Sequence, residues 1–175
     1  LDYPIALSIH SAVGYLAPVS LTAKLCSEYP QIQAINLHGP SLAYFINLKD
    51  SISSTVKIYL GIGTLLAGLP MGAWGAQVTE PNQVPRLCQS IIDHYLAGDM
   101  LKAADSYANV LRVSSIIDLG RQVSADGPKA AMAALGLPVG PPRPPRVAVD
   151  DVTVSEMRRA FEEMQIFELE GLPHP

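Results

Sequence analysis

The chain has 175 residues, of which 49% are hydrophobic and 16% are charged, and its formal net charge is −4. A chain of this length can bury a core of its own, whereas a charged share well below the usual ~25% suggests that part of its apolar surface meets a partner. The acidic balance and the scattered Lys and Arg residues exclude the basic stripe of a nucleic-acid-binding protein, and no apolar run reaches the ~18 residues of a membrane span.

The first 82 residues read as a series of short strands and short helices. Apolar runs predict the strands, and apolar residues at helical spacing, ended by Pro30 or Gly72, predict the helices. The predicted strands are 3–9, 32–37, 56–60 and 74–78, and the predicted helices are 20–29, 42–48 and 64–71. Because the crossover between the last two strands contains nothing polar, we expect parallel strands that are covered on both faces.

Residues 83–164 contain no convincing strand and predict helices instead. These helices are 83–97, 100–119, 127–135 and 154–164. Asp99 is placed to cap the second of them, and Thr153 or Ser155 is placed to cap the last. Residues 138–145, PVGPPRPP, are too rich in proline for a helix or a sheet, so they predict an extended strap on a surface.

The predicted fold class is α/β, with four β/α units in residues 1–82, a helical bundle in residues 83–164 and a flexible tail in residues 165–175. Four parallel strands with their helices make half of an eight-stranded barrel, which closes only when all eight strands are present. A small open sheet is the alternative, but such sheets usually carry a glycine-rich phosphate loop after the first strand. The segment SIHSAVGY, at the end of the first predicted strand, is not such a loop.

The two cysteines, Cys26 and Cys88, are far apart in sequence and belong to no CxxC or Cys/His motif. We therefore expect two reduced, packed thiols, as is usual for a cytoplasmic protein. The start of the chain lacks the charged segment, apolar run and small-residue cleavage site of a signal peptide, which agrees with that location.

Three segments resemble the dihydrodipicolinate synthase and N-acetylneuraminate lyase group of class I aldolases. They are AGDMLKA at 97–103, GPKAAMAALGLPVGPPRPP at 127–145 and GAWGAQVTEPNQVP at 72–85. The resemblance runs from residue 4 to about residue 164. It implies the C-terminal half of a TIM (β/α)8 barrel, strands five to eight of the family, followed by the family's C-terminal helices, with Arg143 holding the strap against the barrel.

The resemblance also implies that the family's Schiff-base chemistry is absent from this chain. Ser8 and Ile9 stand where the family has a Tyr-Asn pair, whose tyrosine relays a proton. Asn36 stands where the family has the lysine that forms a Schiff base with a 2-oxo acid, and an amide cannot attack a carbonyl as an amine does. Residues 10–15 also lack the arginine that holds a substrate carboxylate.

In a barrel of this kind the site lies at the carboxyl ends of the strands. The predicted pocket-lining residues there are Ser8, Ser11, Asn36, Gly61, Gln77, Thr79 and Asn82. His10 and His38 follow adjacent strands and are the candidate catalytic residues, as acid and base or as ligands of an anion, because imidazole changes charge near neutral pH. The alternative is that both are ordinary loop residues hydrogen-bonded to the backbone.

Other chemistry is less well supported by the sequence. His10, His38 and Glu80 do not have the spacing of a metal site, so we expect neither a metal nor a cofactor. Lys57 is the only lysine within a predicted strand, but it lies at the strand's start and therefore at the opposite mouth of the barrel.

A strand that begins near residue 4 leaves no room for the family's first four β/α units. A separate half-barrel chain, a second copy of this chain or a missing N-terminal segment would complete the barrel, so we expect an oligomer or a longer protein. Three functions stay open: a diverged lyase-like protein with a pocket for a small oxo acid or related metabolite, a non-catalytic structural or regulatory subunit, and an unrelated small α/β binding protein.

Overall fold

The computed structural model describes residues 3–123 and 126–174 of the chain. The chain folds as two compact units, the first ending at Val78 and the second beginning at Thr79. The expected boundary between residues 82 and 83 therefore falls inside the second unit.

The first unit is a parallel sheet of four strands in the order β1-β2-β3-β4, as predicted. Its elements are β1 (Ile5–His10), α1 (Val19–Glu28), β2 (Ile32–His38), α2 (Leu42–Ser51), β3 (Lys57–Leu60), α3 (Leu65–Gly68) and β4 (Gly75–Ala76). β4 is shorter than the predicted 74–78, although backbone hydrogen bonds from Trp74 to Ile58 and from Gln77 to Leu60 extend along β3. Short 3-10 helices at Ser11–Val13 and Ile62–Thr64 follow β1 and β3.

One face of this sheet packs against helices and forms the core of the first unit. The buried cluster on that face consists of Ile9, Ile35, Leu37, Phe45, Leu48, Ile58 and Leu60. Alternate residues of a strand point to opposite faces, so these apolar residues leave the polar residues between them on the other face. The prediction that both faces are covered is wrong within this unit, because its helices cover only the apolar one.

The second unit is helical. Its elements are a 3-10 turn at Glu80–Asn82 and the helices α4 (Pro85–Leu96), α5 (Met100–Val123), α6 (Gly127–Ala134), α7 (Asp151–Glu163) and α8 (Ile166–Glu170). As predicted, Asp99 caps α5: its carboxylate accepts a hydrogen bond from the Lys102 amide at 3.1 Å. The strap at 138–145 is neither helix nor strand, and Lys129 Nζ donates to the carbonyls of Gly140 and Pro141 at 3.1 and 2.9 Å.

Two features near the end of the chain differ from expectation. The cap of α7 is Asp150, whose Oδ1 accepts from the Thr153 amide at 2.8 Å. The prediction of Thr153 or Ser155 was wrong because the helix begins before its first core-facing residues. The segment expected to be a flexible tail contains α8, in which Ile166, Phe167 and Glu170 are buried. No helix within the described residues is both long enough and apolar enough to span a bilayer.

The buried carboxylate of Glu170 caps α4 from another helix. Its two oxygens accept hydrogen bonds from the amides of Arg86 and Leu87 at 2.9 and 2.8 Å. These amides belong to the first turn of α4 and have no partner within the helix, while Val84 at the N-cap makes no side-chain hydrogen bond. α8 is thereby tied to the start of α4.

Candidate functional site

The carboxyl ends of β1 and β2 bring four polar side chains onto one face of the first unit's sheet. In the parallel register Ser8 lies opposite Asn36, and His10 lies opposite His38. All four alternate with the buried residues Ile9 and Leu37, so they lie on the face that the helices of this unit leave uncovered.

The two histidine rings stack on each other. Their centroids are 4.4 Å apart and their planes differ by 7°. Because His10 and His38 are partners in the register of the two strands, their rings lie face to face. The sequence predicted that these residues follow adjacent strands but not that their rings are in contact.

A backbone hydrogen bond selects the tautomer of the neutral His10 ring. The amide of Ala12 donates to His10 Nδ1 at 3.0 Å, and a ring nitrogen accepts a hydrogen bond only when it carries no proton. The neutral ring therefore carries its proton on Nε2. The loop that follows is held at its far end by the Tyr44 hydroxyl, which donates to the carbonyl of Ala17 at 2.6 Å.

Two glycines leave room for these side chains. A Cβ atom at Gly61 would lie 3.0 Å from Cδ2 of His38, so the missing side chain lets the imidazole lie close to the end of β3. Gly39 has a φ of +105°, and a Cβ atom there would collide with the Ser11 side chain. Of the predicted pocket residues, Gly61 thus lies beside the His38 ring, and Ser11 lies against Gly39, the residue that follows His38.

Asn36 has an unsatisfied acceptor. Its Oδ1 atom is buried and receives no hydrogen bond from the residues that the structure describes. Leaving a buried acceptor unpaired costs roughly 1–3 kcal/mol. The fold itself therefore gains little from an asparagine at this position.

Three further predicted residues lie away from the stacked pair or in the second unit. Gln77 follows β4 and its side chain is exposed. Thr79 and Asn82 belong to the second unit, where Asn82 Nδ2 donates to the Thr79 carbonyl at 2.9 Å. The Arg121 guanidinium lies 3.5 Å from the Thr79 hydroxyl.

Tyr59 is a residue of the uncovered face that the sequence reading missed. It pairs with Asn36 in the register of β2 and β3, and its ring lies 3.7 Å from the position of a Cβ atom at Gly75. Strand alternation was the signal that could have identified it, because Tyr59 stands between the buried residues Ile58 and Leu60.

Lys57 does not belong to this group of side chains. It opens β3 and lies about 13 Å, four strand residues, from the level of Gly61. Its Nζ sits over the ring of Trp74, 4.2 Å from the centroid. Its position at the amino end of the strand agrees with the expectation from the sequence.

The thiols are poor candidates for nucleophiles. Burial, followed by the nearby negative charges of Glu80 and Glu170, raises the pKa of Cys88 to about 12. Burial also raises the pKa of Cys26. Since the thiolate is the nucleophile, neither residue supplies one at neutral pH. Within the described ranges no three His, Cys, Asp or Glu side chains come together as metal ligands.

Comparison with known proteins identifies a family and a shared fold. The model of the dihydrodipicolinate synthetase family matches residues 9–164. The 4-hydroxy-tetrahydrodipicolinate synthase of Thermosynechococcus vestitus is 27% identical over 139 residues, which cover 79% of this chain and 46% of that protein. The chain thus spans about half the length of the curated relatives it matches.

Solved structures agree with this chain in fold. A prophage protein of the dihydrodipicolinic acid synthase family from E. coli K12, solved in complex with pyruvate, has a TM-score of 0.84 and 19% identity over 95% of this chain and 57% of its own. N-acetylneuraminate lyase from Proteus mirabilis has a TM-score of 0.81 and 19% identity over 94% of this chain and 56% of its own. The α/β fold is that of these TIM-barrel relatives, of which the chain supplies little more than half.

Proposed function

Because the chain belongs to the dihydrodipicolinate synthetase family, we propose that it supplies about half of a lyase-type barrel whose strand ends bind a small oxo acid without forming a Schiff base. The observation that carries this proposal is the group of Ser8, His10, Asn36 and His38 on one face at the carboxyl ends of β1 and β2. That is the end at which barrels of this class hold their ligands.

The side chains at these strand ends support the proposed absence of an imine. A Schiff base requires an amine beside the bound carbonyl, but Asn36 provides an amide and the nearest strand lysine, Lys57, lies over Trp74. β1 contains no tyrosine that could do the work of the family's proton-relay tyrosine, in whose place Ser8 stands. His10 and His38 are then the groups that can exchange a proton with a ligand or hold its charge.

The sheet edges support the need for a completing partner. Within the described residues, β1 and β4 each have one neighbouring strand, so their outer edges are unpaired. Trp74, just before β4, is 61% exposed, and Tyr3, just before β1, is 77% exposed. Unpaired edges flanked by exposed aromatic residues favour pairing with more chain, whether a separate half-barrel, a second copy or the rest of a longer polypeptide.

A titration with pyruvate, the ligand of the structural relative from E. coli, tests the proposal. We expect pyruvate to shift the imidazole NMR signals of His10 and His38 and to leave that of His94 unchanged, because His94 belongs to helix α4 and not to a strand end. The matched control is propanoate, which has the carboxylate but lacks the keto group, and we expect it to bind more weakly. If neither acid shifts the two signals, the chain is better explained as a non-catalytic structural or regulatory subunit.

A further inference from the structure

A cavity of about 210 Å³ opens at the amino edge of the first unit's sheet. Its lining includes Lys49 in the last turn of α2, Ser53 and Ser54 in the loop that follows, Lys57 at the start of β3, and the exposed indole of Trp74. We propose that this cavity binds a phosphate group, either free phosphate or the phosphate of a small ester, between the two lysine ammonium groups. The inference does not rest on the proposed function, because the histidines lie at the carboxyl ends of the strands.

Both lysine side chains are directed toward the connection between α3 and β4. The Nζ atom of Lys57 lies over the Trp74 ring, 4.2 Å from its centroid. The Lys49 side chain passes close to Gly72, where a Cβ atom would lie 2.8 Å from Cε and 3.5 Å from Nζ of Lys49. Gly72 has a φ of +95°, which a residue with a side chain rarely adopts. Because Gly72 and Trp74 are two residues apart, the two ammonium groups converge on one short segment.

The charges around the cavity favour an anion. Among the residues that the structure describes, no carboxylate lines the cavity, and neither lysine forms an ion pair with an acid. Asp50, which follows Lys49 on α2, is exposed and does not belong to the lining. Two ammonium groups at one cavity repel each other, and an anion bound between them would offset that repulsion. A phosphate group carries roughly 1.5 to 2 negative charges at pH 7, so it matches two lysines better than a monocarboxylate does.

Hydrogen-bond donors and the size of the cavity agree with a small phosphate compound. Phosphate oxygens accept hydrogen bonds from ammonium groups and from serine hydroxyls. The Ser53 hydroxyl accepts from the Thr55 amide at 3.3 Å, which holds it in place at the end of the loop. Pockets for larger small molecules measure roughly 300–1,000 Å³. The smaller cavity here therefore fits a phosphate group with at most a short substituent.

A fluorescence titration tests the proposal, because Trp74 is the only tryptophan in the chain. The ligands are inorganic phosphate and glycerol 3-phosphate, added at neutral pH and constant ionic strength. We expect both to cause a saturable change in tryptophan fluorescence, since a bound anion draws the Lys57 ammonium away from the indole ring. Tighter binding of the ester indicates a phosphorylated small molecule as the ligand, whereas equal binding indicates the free ion, and either result supports a phosphate site.

Lysine variants show whether the binding belongs to this cavity. We expect Lys49→Met to weaken the affinity about tenfold or more, because it removes a charge-assisted hydrogen bond and leaves Lys57 over Trp74. Lys49→Arg keeps the positive charge and should retain most of the affinity. The matched control is Lys24→Met, since Lys24 lies on α1, pairs with Glu28 and does not line the cavity. Its affinity for phosphate should equal that of the wild type.

Two results would overturn the proposal. One is the lack of a saturable fluorescence change with either compound. The other is an equal loss of affinity in Lys49→Met and Lys24→Met, because binding would then follow only the overall charge. If Lys49→Met fails to fold, side-chain NMR signals of the wild-type protein decide, since phosphate must shift those of Lys49 and Lys57 and leave that of Lys24 unchanged. The histidine signals in the pyruvate titration report on the proposed function separately, so either proposal can fail without the other.

Discussion

Acidic side chains stabilise helix ends in the second unit, whereas none of the described residues at the carboxyl ends of the first unit's strands is acidic. Glu170, Asp99 and Asp150 accept hydrogen bonds from the first turns of α4, α5 and α7. At the strand ends of the first unit the ionisable groups are instead His10 and His38, stacked on a face that the unit's own helices do not cover. The comparison teaches that the acidic groups of the second unit are used by its own helix ends, whereas the polar groups of the first unit lie on a face that its own helices leave uncovered.

The first test removes the largest buried side chain of the first unit. It asks whether the buried cluster on the apolar face of the sheet stabilises this unit. Phe45 is fully buried in the cluster beneath β2 and β3. We expect Phe45→Ala to lower the free energy of unfolding by about 3–5 kcal/mol, because it removes apolar contacts and leaves a cavity. Urea denaturation measures the change, with the exposed Tyr29→Ala as the control. A loss below about 1 kcal/mol would mean that the core lies elsewhere.

The next test concerns the cap that Glu170 provides for α4, because it is an example of a carboxylate that stabilises a helix end in the second unit. Glu170→Gln replaces a charged double acceptor by a group whose NH2 faces an amide donor. We expect a loss of about 1.5–3 kcal/mol in unfolding free energy. Glu168→Gln is the matched control, since Glu168 is exposed and its Oε1 lies 3.0 Å from Nε2 of the exposed His174. Equal effects of the two substitutions would show that the cap contributes nothing.

The pKa of Cys88 reflects first its burial and then the nearby carboxylates of Glu80 and Glu170. Since that pKa is raised from 9.0 to about 12, the folded state keeps a proton that the unfolded chain has lost between these values. The associated stability is intact below pH 9 and is lost as the pH rises toward 12. At pH 8 we expect iodoacetamide to modify Cys88 roughly tenfold or more slowly in the folded protein than in urea. Comparable rates in both states would contradict the raised pKa.

The smallest expected effect concerns the amino edge of the sheet, opposite the histidines. Lys57→Met removes the ammonium that lies over Trp74 and should lower the unfolding free energy by about 0.5–1 kcal/mol. The control is Lys24→Met, which breaks an exposed ion pair with Glu28. Affinity for pyruvate should be unchanged in both variants, and a marked loss in Lys57→Met would move the proposed ligand site away from the strand ends.

Local patterns in the sequence predicted most of the fold but little of the site's geometry. Apolar runs bounded by Gly and Pro located all four strands and their parallel order, since each pattern involves neighbours in sequence. The stacking of His10 on His38 depends on register across two strands, and the tautomer of His10 depends on the backbone of the turn after it. The contact of Glu170 with Arg86 and Leu87 joins segments distant in sequence, so no local pattern indicates it.

The capping of α7 shows the limit even where a local signal exists. Asp150 has the residue type of an N-cap, but the apolar spacing that locates the helix begins only at Val154. Hydrogen bonding, which starts the helix at Asp151, depends on backbone positions that apolar spacing does not report. The residues at which helices begin and end were therefore harder to predict than the presence of the helices.

The most direct test of the central claim is intact-mass spectrometry after incubation with pyruvate and borohydride. Borohydride reduces a Schiff base to a stable amine, so a lysine that captures pyruvate acquires a permanent mass increase. With Asn36 at the end of β2 and Lys57 held over Trp74, we expect the mass of the protein to be unchanged, while a class I aldolase treated in parallel gains the adduct. A pyruvate-dependent mass increase that maps to any lysine of this chain would contradict the account.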